Sequence, residues 1–586
     1  MTAFLGVERS LSGRRWQGPD AAQDRAAMAL TQATGLPELV CRLLAARDVT
    51  AGEVAAYLTP RLRDLTPDPS SLKDMDKAVA RLLTALRGKE RIAVFADYDV
   101  DGGASAALLL TWLRALGHRA TLYIPDRIDE GYGPNVPAME ELATAHDLII
   151  CVDCGTLSHD PIAAARAKGA DVIVLDHHQG GETLPPALAV VNPNRQDEDS
   201  PLGHLCAAGV VFLMLVGANR ALRAAGAKGP DLMAMLDLVA LATVADVAPL
   251  QGLNRAFVRQ GLAVMAARSR PGLTALADVA SMTSAPSSYH LGYLLGPRVN
   301  AGGRIGAADL GARLLATEDA QEAADLAQRL DHLNAERRAI EALVLEEAKA
   351  QAEARGLDGP LVWAAGDGWH PGVVGIVAAR LKEWANRPAV VIGLDQGEGK
   401  GSARSVAGVD LGASIAQITR EGLLLKGGGH AMAAGLTVDA AQLPAAMERL
   451  GVLLAKQGAG ATGPQTLRID GALQPSGCTL DLIQQLEQVG PFGAGSPAPR
   501  FALPDVRITF AKRAGEKHLR LSFADDQGGR IDAIAFNICD TPMGHALEQH
   551  NGARFNIAGK IEIDDWGGRL KPKLKLDDAA PAQAQP

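Results

Sequence analysis

Cysteine is scarce in this 586-residue chain. Its six copies, Cys41, Cys151, Cys154, Cys206, Cys478 and Cys539, are too few and too scattered for a disulfide framework. Only Cys151 and Cys154 are close. With no second pair, and with Cys151 inside the strand-like "LIICVD", they read as a core thiol and a loop thiol rather than a zinc or redox pair. Long apolar runs are also missing: no stretch of about 18 uncharged apolar residues marks a membrane span. The opening "MTAFLGVERSLSGRRWQG" lacks the basic region, apolar core and cleavage site of a secretory signal, so a cytoplasmic setting without membrane contact is expected. Net positive charge is absent too. The 58 Lys and Arg against 67 Asp and Glu leave −9, which argues against a uniformly basic nucleic-acid binder while leaving room for local basic patches.

What is present is length enough for several domains. Residues 1–70 read as a helical region closing at "LTPDPSS". Within 71–270, "RIAVFAD", "DLIICVD" and "DVIVLDHH" read as buried parallel strands, and "SAALLLTWLRALG" and "PIAAARAKG" as crossover helices, which makes a doubly wound α/β domain. Residues 318–355 hold neither Gly nor Pro. Leu326, Leu330, Leu333, Ile340 and Val344 form one seam interrupted by Arg337, which fits a long interdomain strut better than a coiled-coil dimer and places a connector over 271–355. A smaller α/β domain follows at 356–460, with "LVWAAG" and "PAVVIGLD" as strands, and "KQGAGATGP" reads as a linker. From 464 to 577, five alternating segments beginning with "PDVRITFAKR" suit an OB-type β-barrel, with an open sandwich as the alternative. Residues 578–586 read as a disordered tail.

The chemistry gathers at the strand ends. "VFADYDVDGGAS" carries Asp97, Asp99 and Asp101. A calcium loop is excluded, because its twelfth position is Leu108 rather than Glu and the segment before it is a strand. The second strand ends in Asp153 and the third in Asp176, His177 and His178. Carboxyl ends of strands in an open α/β sheet line one crevice, and alternate residues of an extended chain would turn all three early aspartates into it. So many like charges need cations. Imidazole among carboxylates favours Mn²⁺, Fe²⁺, Co²⁺ or Zn²⁺ over Ca²⁺, and the pattern points to a two-metal hydrolytic site.

"DYDVDG", "VDCG", "DHH" and "ATVADV" together resemble the four motifs of the DHH phosphoesterase superfamily. "GPRVNAGGRIG", "GSARS", "KGGGHAMAAG" and "GPFGAGSPAPRF" narrow the resemblance to the RecJ family of bacterial single-strand-specific exonucleases. The resemblance implies a DHH domain, a connecting helix, a DHHA1 domain and an OB-fold, acting in DNA recombination and repair by degrading single-stranded DNA from its 5′ end to mononucleotides. It implies two divalent ions, Mn²⁺ first and Mg²⁺ second. Asp97, Asp99 and Asp153 would hold one, and Asp101, Asp153, His177 and Asp246 the other. Asp153 would bridge the two, Asp176 would orient His177, and His178 would touch the scissile phosphate. Asp246 is visible only through the resemblance.

For the strand itself, Arg127, Ser402, Arg404, Gly429 and His430 would grip the 5′ end, the last four from two glycine-rich stretches read as loops. Arg298, Asn300 and Arg304 would line a narrow entrance that excludes duplex. Lys512, Arg513, Lys517, Arg520, Lys571, Lys573 and Lys575 offer a basic face on the last domain; among Phe510, Phe523, Phe536 and Trp566, only Trp566 reads as a base-stacking residue. Cys154, Ala104 and Ser496 depart from the family pattern without touching a metal ligand. The resemblance also implies a monomer with a single-strand-binding protein and a RecQ-type helicase as partners. Against it stand another DHH phosphodiesterase, acting on nanoRNA or cyclic dinucleotides, or a pyrophosphatase, all shorter and without the β domain, and a non-catalytic scaffold that would have lost ligands.

Overall fold

The computed structural model describes residues 3–127, 129–460, 465–564 and 569–582. They fall into two compact units: one comprises residues 1–66, 249–256 and 463–586, the other 67–248 and 257–462.

The N-terminal segment is helical only in part. Asp20 caps the helix Ala21–Thr34 through a reciprocal capping box with Gln23, and Glu38–Ala45 follows. Ahead of them lies β1 (Arg15–Gln17), a strand that the helical reading of 1–70 did not include. Its Trp16 is fully buried. The segment therefore belongs to the C-terminal unit rather than forming a region of its own.

The larger unit is built on β2 (Ile92–Ala96), β3 (Ala120–Tyr123), β4 (Leu148–Val152), β5 (Asp171–Leu175) and β6 (Ala189–Val191). All neighbours are parallel, in the order β3-β2-β4-β5-β6. The chain leaves β2 to one side and returns to the other, so the winding reverses between β2 and β4, which is where open α/β sheets bind ligands. β2, β4 and β5 are the expected strands. The short β3 and β6 were not foreseen. Helix Ala207–Ala224 is long and apolar enough to cross a membrane, yet 56% of it is buried inside the protein, where it packs on helices Met75–Gly88 and Val100–Ala115.

The gap-free stretch is one 36-residue helix, Ala320–Arg355, about 54 Å long at the α-helical rise. Its first half packs on Pro271–Val279 and Gly296–Ile305, its second on Pro371–Ala385 and β7 (Val362–Asp367), so its apolar seam is consumed as a strut. Arg337 is buried and bound to Glu341 (2.7 Å) and Asn334 (2.9 Å). The second sheet adds β8 (Ala389–Asp395), β9 (Glu398–Arg404), β10 (Lys426–His430) and β11 (Ala433–Asp439) in the order β10-β11-β9-β8-β7. The two glycine-rich stretches read as loops are thus strands β9 and β10. A Cβ on Gly401 would lie 2.8 Å from Ile392 and 2.9 Å from Leu436, so glycine there answers crowding rather than a turn.

In the other unit, β12 (Thr466–Arg468) pairs with β1, and β13 (Gly471–Ala472) precedes β14 (Phe501–Ala514), β15 (His518–Ala524), β16 (Arg530–Ala535), β17 (Arg554–Asp564) and β18 (Lys571–Pro581). The order β14-β15-β16-β18-β17, closed by β14–β17 pairing, is a five-stranded barrel, which excludes the open sandwich. The tail assignment is corrected over 578–581, which complete β18. There Asp578 is buried and accepts hydrogen bonds from Trp16 Nε1 (2.9 Å) and Ser12 Oγ (2.8 Å). Phe523 is core, while Phe510 and Phe536 are exposed. Trp566 and residues 583–586 lie outside the described residues.

Candidate metal centre and phosphate pocket

β2 ends at Ala96, and the chain turns through Asp97 and Asp99 into helix Val100–Ala115. Asp99 caps that helix, its Oδ1 accepting from Asp101 N (2.8 Å) and Gly102 N (3.1 Å). Asp101 therefore sits in the first helical turn, which corrects the expectation of three aspartates alternating along extended chain. They converge because strand, turn and helix fold back on one another. A Cβ on Gly102 would lie 2.4 Å from the Asp97 carbonyl, so the close return of the helix demands glycine. Asp153 follows β4 at φ +60°, in the left-handed region that Asp tolerates better than most side chains. Asp176 follows β5, and Asp246 caps the C-terminus of helix Leu236–Ala245.

His177 Nε2 lies 3.3 Å from Asp153 Oδ1 and 3.8 Å from both Asp101 Oδ2 and Asp246 Oδ2. Three sets of ligand atoms fall within 4.8 Å of one another: Asp97, Asp99 and Asp153; Asp101, His177 and Asp246; and Asp153, His177 and His178. Asp153 is shared by the first and third sets, and His177 by the second and third. Oδ1 of Asp97 and Oδ1 of Asp153 are buried without a hydrogen-bond partner, a costly state for carboxylate oxygens. Burial, then neighbouring carboxylates, push Asp97 and Asp153 well above the usual range and Asp246 up to about 8. Oxygen donors, one imidazole and unpaired buried lone pairs fit a pair of divalent cations. Asp101 is fixed independently, since its two oxygens accept from Ala207 N (2.6 Å) and Ala208 N (2.8 Å) at the start of helix Ala207–Ala224.

Asp176 orients His178, not the His177 ring as expected. It accepts from His178 Nδ1 (2.8 Å), from the backbone N–H of both histidines, and from Thr156 Oγ1 (2.6 Å). Burial opposes its charge, but these hydrogen bonds and the His178 charge hold Asp176 well below the carboxylate range. Burial likewise opposes the His178 charge, yet the Asp176 hydrogen bond raises it to about 9. Sequence reasoning missed the residues that brace this loop. Asn192 Nδ2 donates to His178 O (2.8 Å), Asn194 Nδ2 to His177 O (2.6 Å), and Tyr132 Oη lies 3.3 Å from the His178 ring nitrogens. The "NPN" closing the run after β6 was the only available signal.

A cationic pocket adjoins the acids. The Arg127 guanidinium lies over the Tyr98 ring at 5.0 Å. It faces Arg304, Arg404 and His370, each pushed down first by burial and further by neighbouring positive charge, Arg304 to about 10. His370 was not singled out from sequence. Arg304 donates to Gly372 O (3.1 Å), and Arg404 to Ser402 Oγ (3.0 Å) and Ala403 O (2.8 Å); among the described residues no carboxylate pairs with either. Such a set has the composition of a phosphate site. His430, Ala433 and Arg404 stand opposite one another across β10, β11 and β9, and Gly429 sits at φ +151° beside His430. Arg298 is held by Asp331 (2.8 Å) and Leu294 O (2.8 Å), and Asn300 Oδ1 accepts from Val100 N (3.1 Å), so these two brace the helices behind the site. Of the residues departing from the family pattern, Ala104 and Cys154 are buried in the α/β core, and Ser496 accepts from Arg47 Nε (3.3 Å) in the barrel unit.

An acid–histidine cluster at the winding reversal of a parallel sheet, strut-linked to a smaller α/β domain, defines a DHH phosphoesterase. The model of the DHH family N-terminal domain matches residues 91–243, that of the DHHA1 domain 358–456, and that of the RecJ OB domain 469–578. The chain belongs to the RecJ family. It is 33% identical over 581 residues to the single-stranded-DNA-specific exonuclease RecJ of Bacillus subtilis, covering 98% of this chain and 72% of that protein. It is 36% identical over 572 residues to Escherichia coli RecJ, covering 93% and 96%. The crystal structure of Thermus thermophilus RecJ in complex with Mn²⁺ superimposes with a TM-score of 0.79 at 32% identity, over 97% of this chain and 80% of that one. The complex of the same protein with Mg²⁺ gives 0.73 at 30% identity, over 97% and 79%.

Proposed function

We propose that the protein is a single-stranded-DNA-specific exonuclease that hydrolyses the strand from its 5′ end to mononucleotides, in DNA recombination and repair, with two divalent ions, Mn²⁺ or Mg²⁺. The observation that carries this is the abutment of two opposites: buried carboxylate oxygens without partners, and arginines without a carboxylate. A cation pair and a phosphodiester satisfy both at once.

Asp97, Asp99 and Asp153 would hold one ion, and Asp101, Asp153, His177 and Asp246 the other. Bound there, the ions would lower the pKa of a water so that it gives up its proton and hydroxide forms near neutral pH, and would stabilise the negative charge on the attacking and leaving oxygens. His178, charged at neutral pH through Asp176, donates a hydrogen bond to a non-bridging oxygen of the scissile phosphate. Arg127, Arg304 and Arg404, with Ser402, Gly429 and His430, hold the 5′-terminal nucleotide by its phosphate. On the barrel, Lys512, Arg520, Lys575 and Lys560 fall in one row through the pairings of β14, β15, β16, β18 and β17, supporting a basic track for the strand's backbone. The family resemblance adds a monomeric, cytoplasmic enzyme with a single-strand-binding protein and a RecQ-type helicase as partners, which co-purification with tagged protein tests.

With Mn²⁺, the purified protein is expected to release a 5′ label from a single strand before a 3′ label and to leave blunt duplex intact. Release of the 3′ label first, or equal attack on blunt duplex, overturns the proposal.

A further inference from the structure

Only six tyrosines occur in the chain, and two of them, Tyr289 and Tyr293, stack on each other in the open. Their ring centroids are 5.3 Å apart at 24°, with 59% and 75% of each residue exposed. Neither hydroxyl has a hydrogen-bond partner among the described residues, so what the pair presents is ring face. The backbone explains the pairing. Residues His290–Leu295 form a π-helical turn, a local distortion that recurs at functional sites. His290 braces it, its Nδ1 accepting from Ser287 N (3.1 Å) and its ring packing edge-on to Tyr289.

The turn meets the site through its middle and its C-terminal end. A Cβ on Gly292 would stand 3.4 Å from Val244, and one on Gly296 3.3 Å from Ala245, so the turn lies along the helix whose next residue is Asp246. It then runs straight into Gly296–Ile305, the helix carrying Asn300 and Arg304.

We propose that Tyr289 and Tyr293 are a base-stacking subsite that holds unpaired bases of the DNA strand beside the metal centre, an inference that rests on the exonuclease reading. Stacking needs no particular base, because every base has a π-face. It does need an unpaired strand, because duplex bases are stacked on one another and present only their edges. The pair therefore contributes to strand specificity as well as to affinity.

The test uses the full-length protein and single-stranded oligonucleotides. Y289A/Y293A is expected to raise KM by roughly tenfold or more, the change falling in KM rather than kcat. Y289F/Y293F, which keeps the rings, is expected to behave as wild type. On a strand with an abasic tract, wild type and Y289A/Y293A are expected to converge. Binding is read separately, by quenching of 2-aminopurine placed in the strand, which needs no hydrolysis. An unchanged KM in Y289A/Y293A, or equal impairment in Y289F/Y293F, overturns the subsite. Quenching by a wild type that digests nothing keeps the subsite and overturns the exonuclease reading.

Discussion

Asp176 shows how one residue can organise a loop beside the acidic cluster. One buried carboxylate gathers Thr156, both histidine backbones and the His178 ring, and so fixes the ring's position and its charge together. Asp176→Asn retains the volume but loses the charge that raises His178. It is expected to lower kcat by roughly 10- to 100-fold, the usual cost of removing such a supporting partner, with little change in KM, measured by steady-state digestion of a single strand. The residue scale is also where the sequence was read best. One acid ending an apolar strand is usually a solvated cap, but three successive strands finishing in Asp97, Asp153 and Asp176, the last beside two histidines, made the set stand out. Asp246 did not, since an acid after a helix is usually solvated, and Asn192 and Asn194 act through side-chain bonds to distant carbonyls at which the "NPN" run only hints.

At the scale of elements, the crossover from β2 into helix Val100–Ala115 is what brings Asp97, Asp99 and Asp101 together. Its logic is a cap and a close approach rather than an extended strand. Gly102→Val places side-chain atoms against the Asp97 carbonyl and must displace the turn. Since a shift of about 1 Å at a reacting centre can cost roughly 100-fold, activity is expected to fall at least that far, with circular dichroism reporting a retained fold. Helices and fully buried strands were legible from their period and their ends. The half-exposed β3 and three-residue β6 carry too few apolar positions to show one. Glycine composition hid β9 and β10: in β9 it answers side chains pressing from the neighbouring strands, in β10 Gly427 answers the helix Leu411–Arg420 and Gly429 the backbone of β11.

For the whole molecule, the unit that holds the barrel also takes in residues 1–66. β1 pairs with β12 across some 450 residues, and Trp16 meets Asp578 beneath it. No local signal reports such a pairing, and the Ala- and Pro-rich composition after Asp577 suggested disorder where a strand completes the barrel. Asp578→Ala leaves the buried Trp16 Nε1 without its acceptor. It is expected to cost about 1–3 kcal/mol, seen as a lower Tm for the barrel transition in calorimetry, with Mn²⁺ binding untouched. The larger unit makes the opposite trade, leaving Oδ1 of Asp97 and of Asp153 buried without a hydrogen bond, where cations can neutralise them. The most direct test of that claim is a Mn²⁺ titration, followed by calorimetry and thermal melting, of wild type and Asp153→Asn. Wild type is expected to bind two ions per chain and to gain about 2.7 kcal/mol of stability per ion at a hundredfold excess over Kd, roughly 5 kcal/mol for the pair. Asp153→Asn is expected to lose both the paired binding and the metal-dependent shift, while melting higher than wild type without metal. Two ions bound by Asp153→Asn with wild-type affinity would contradict a shared two-metal centre.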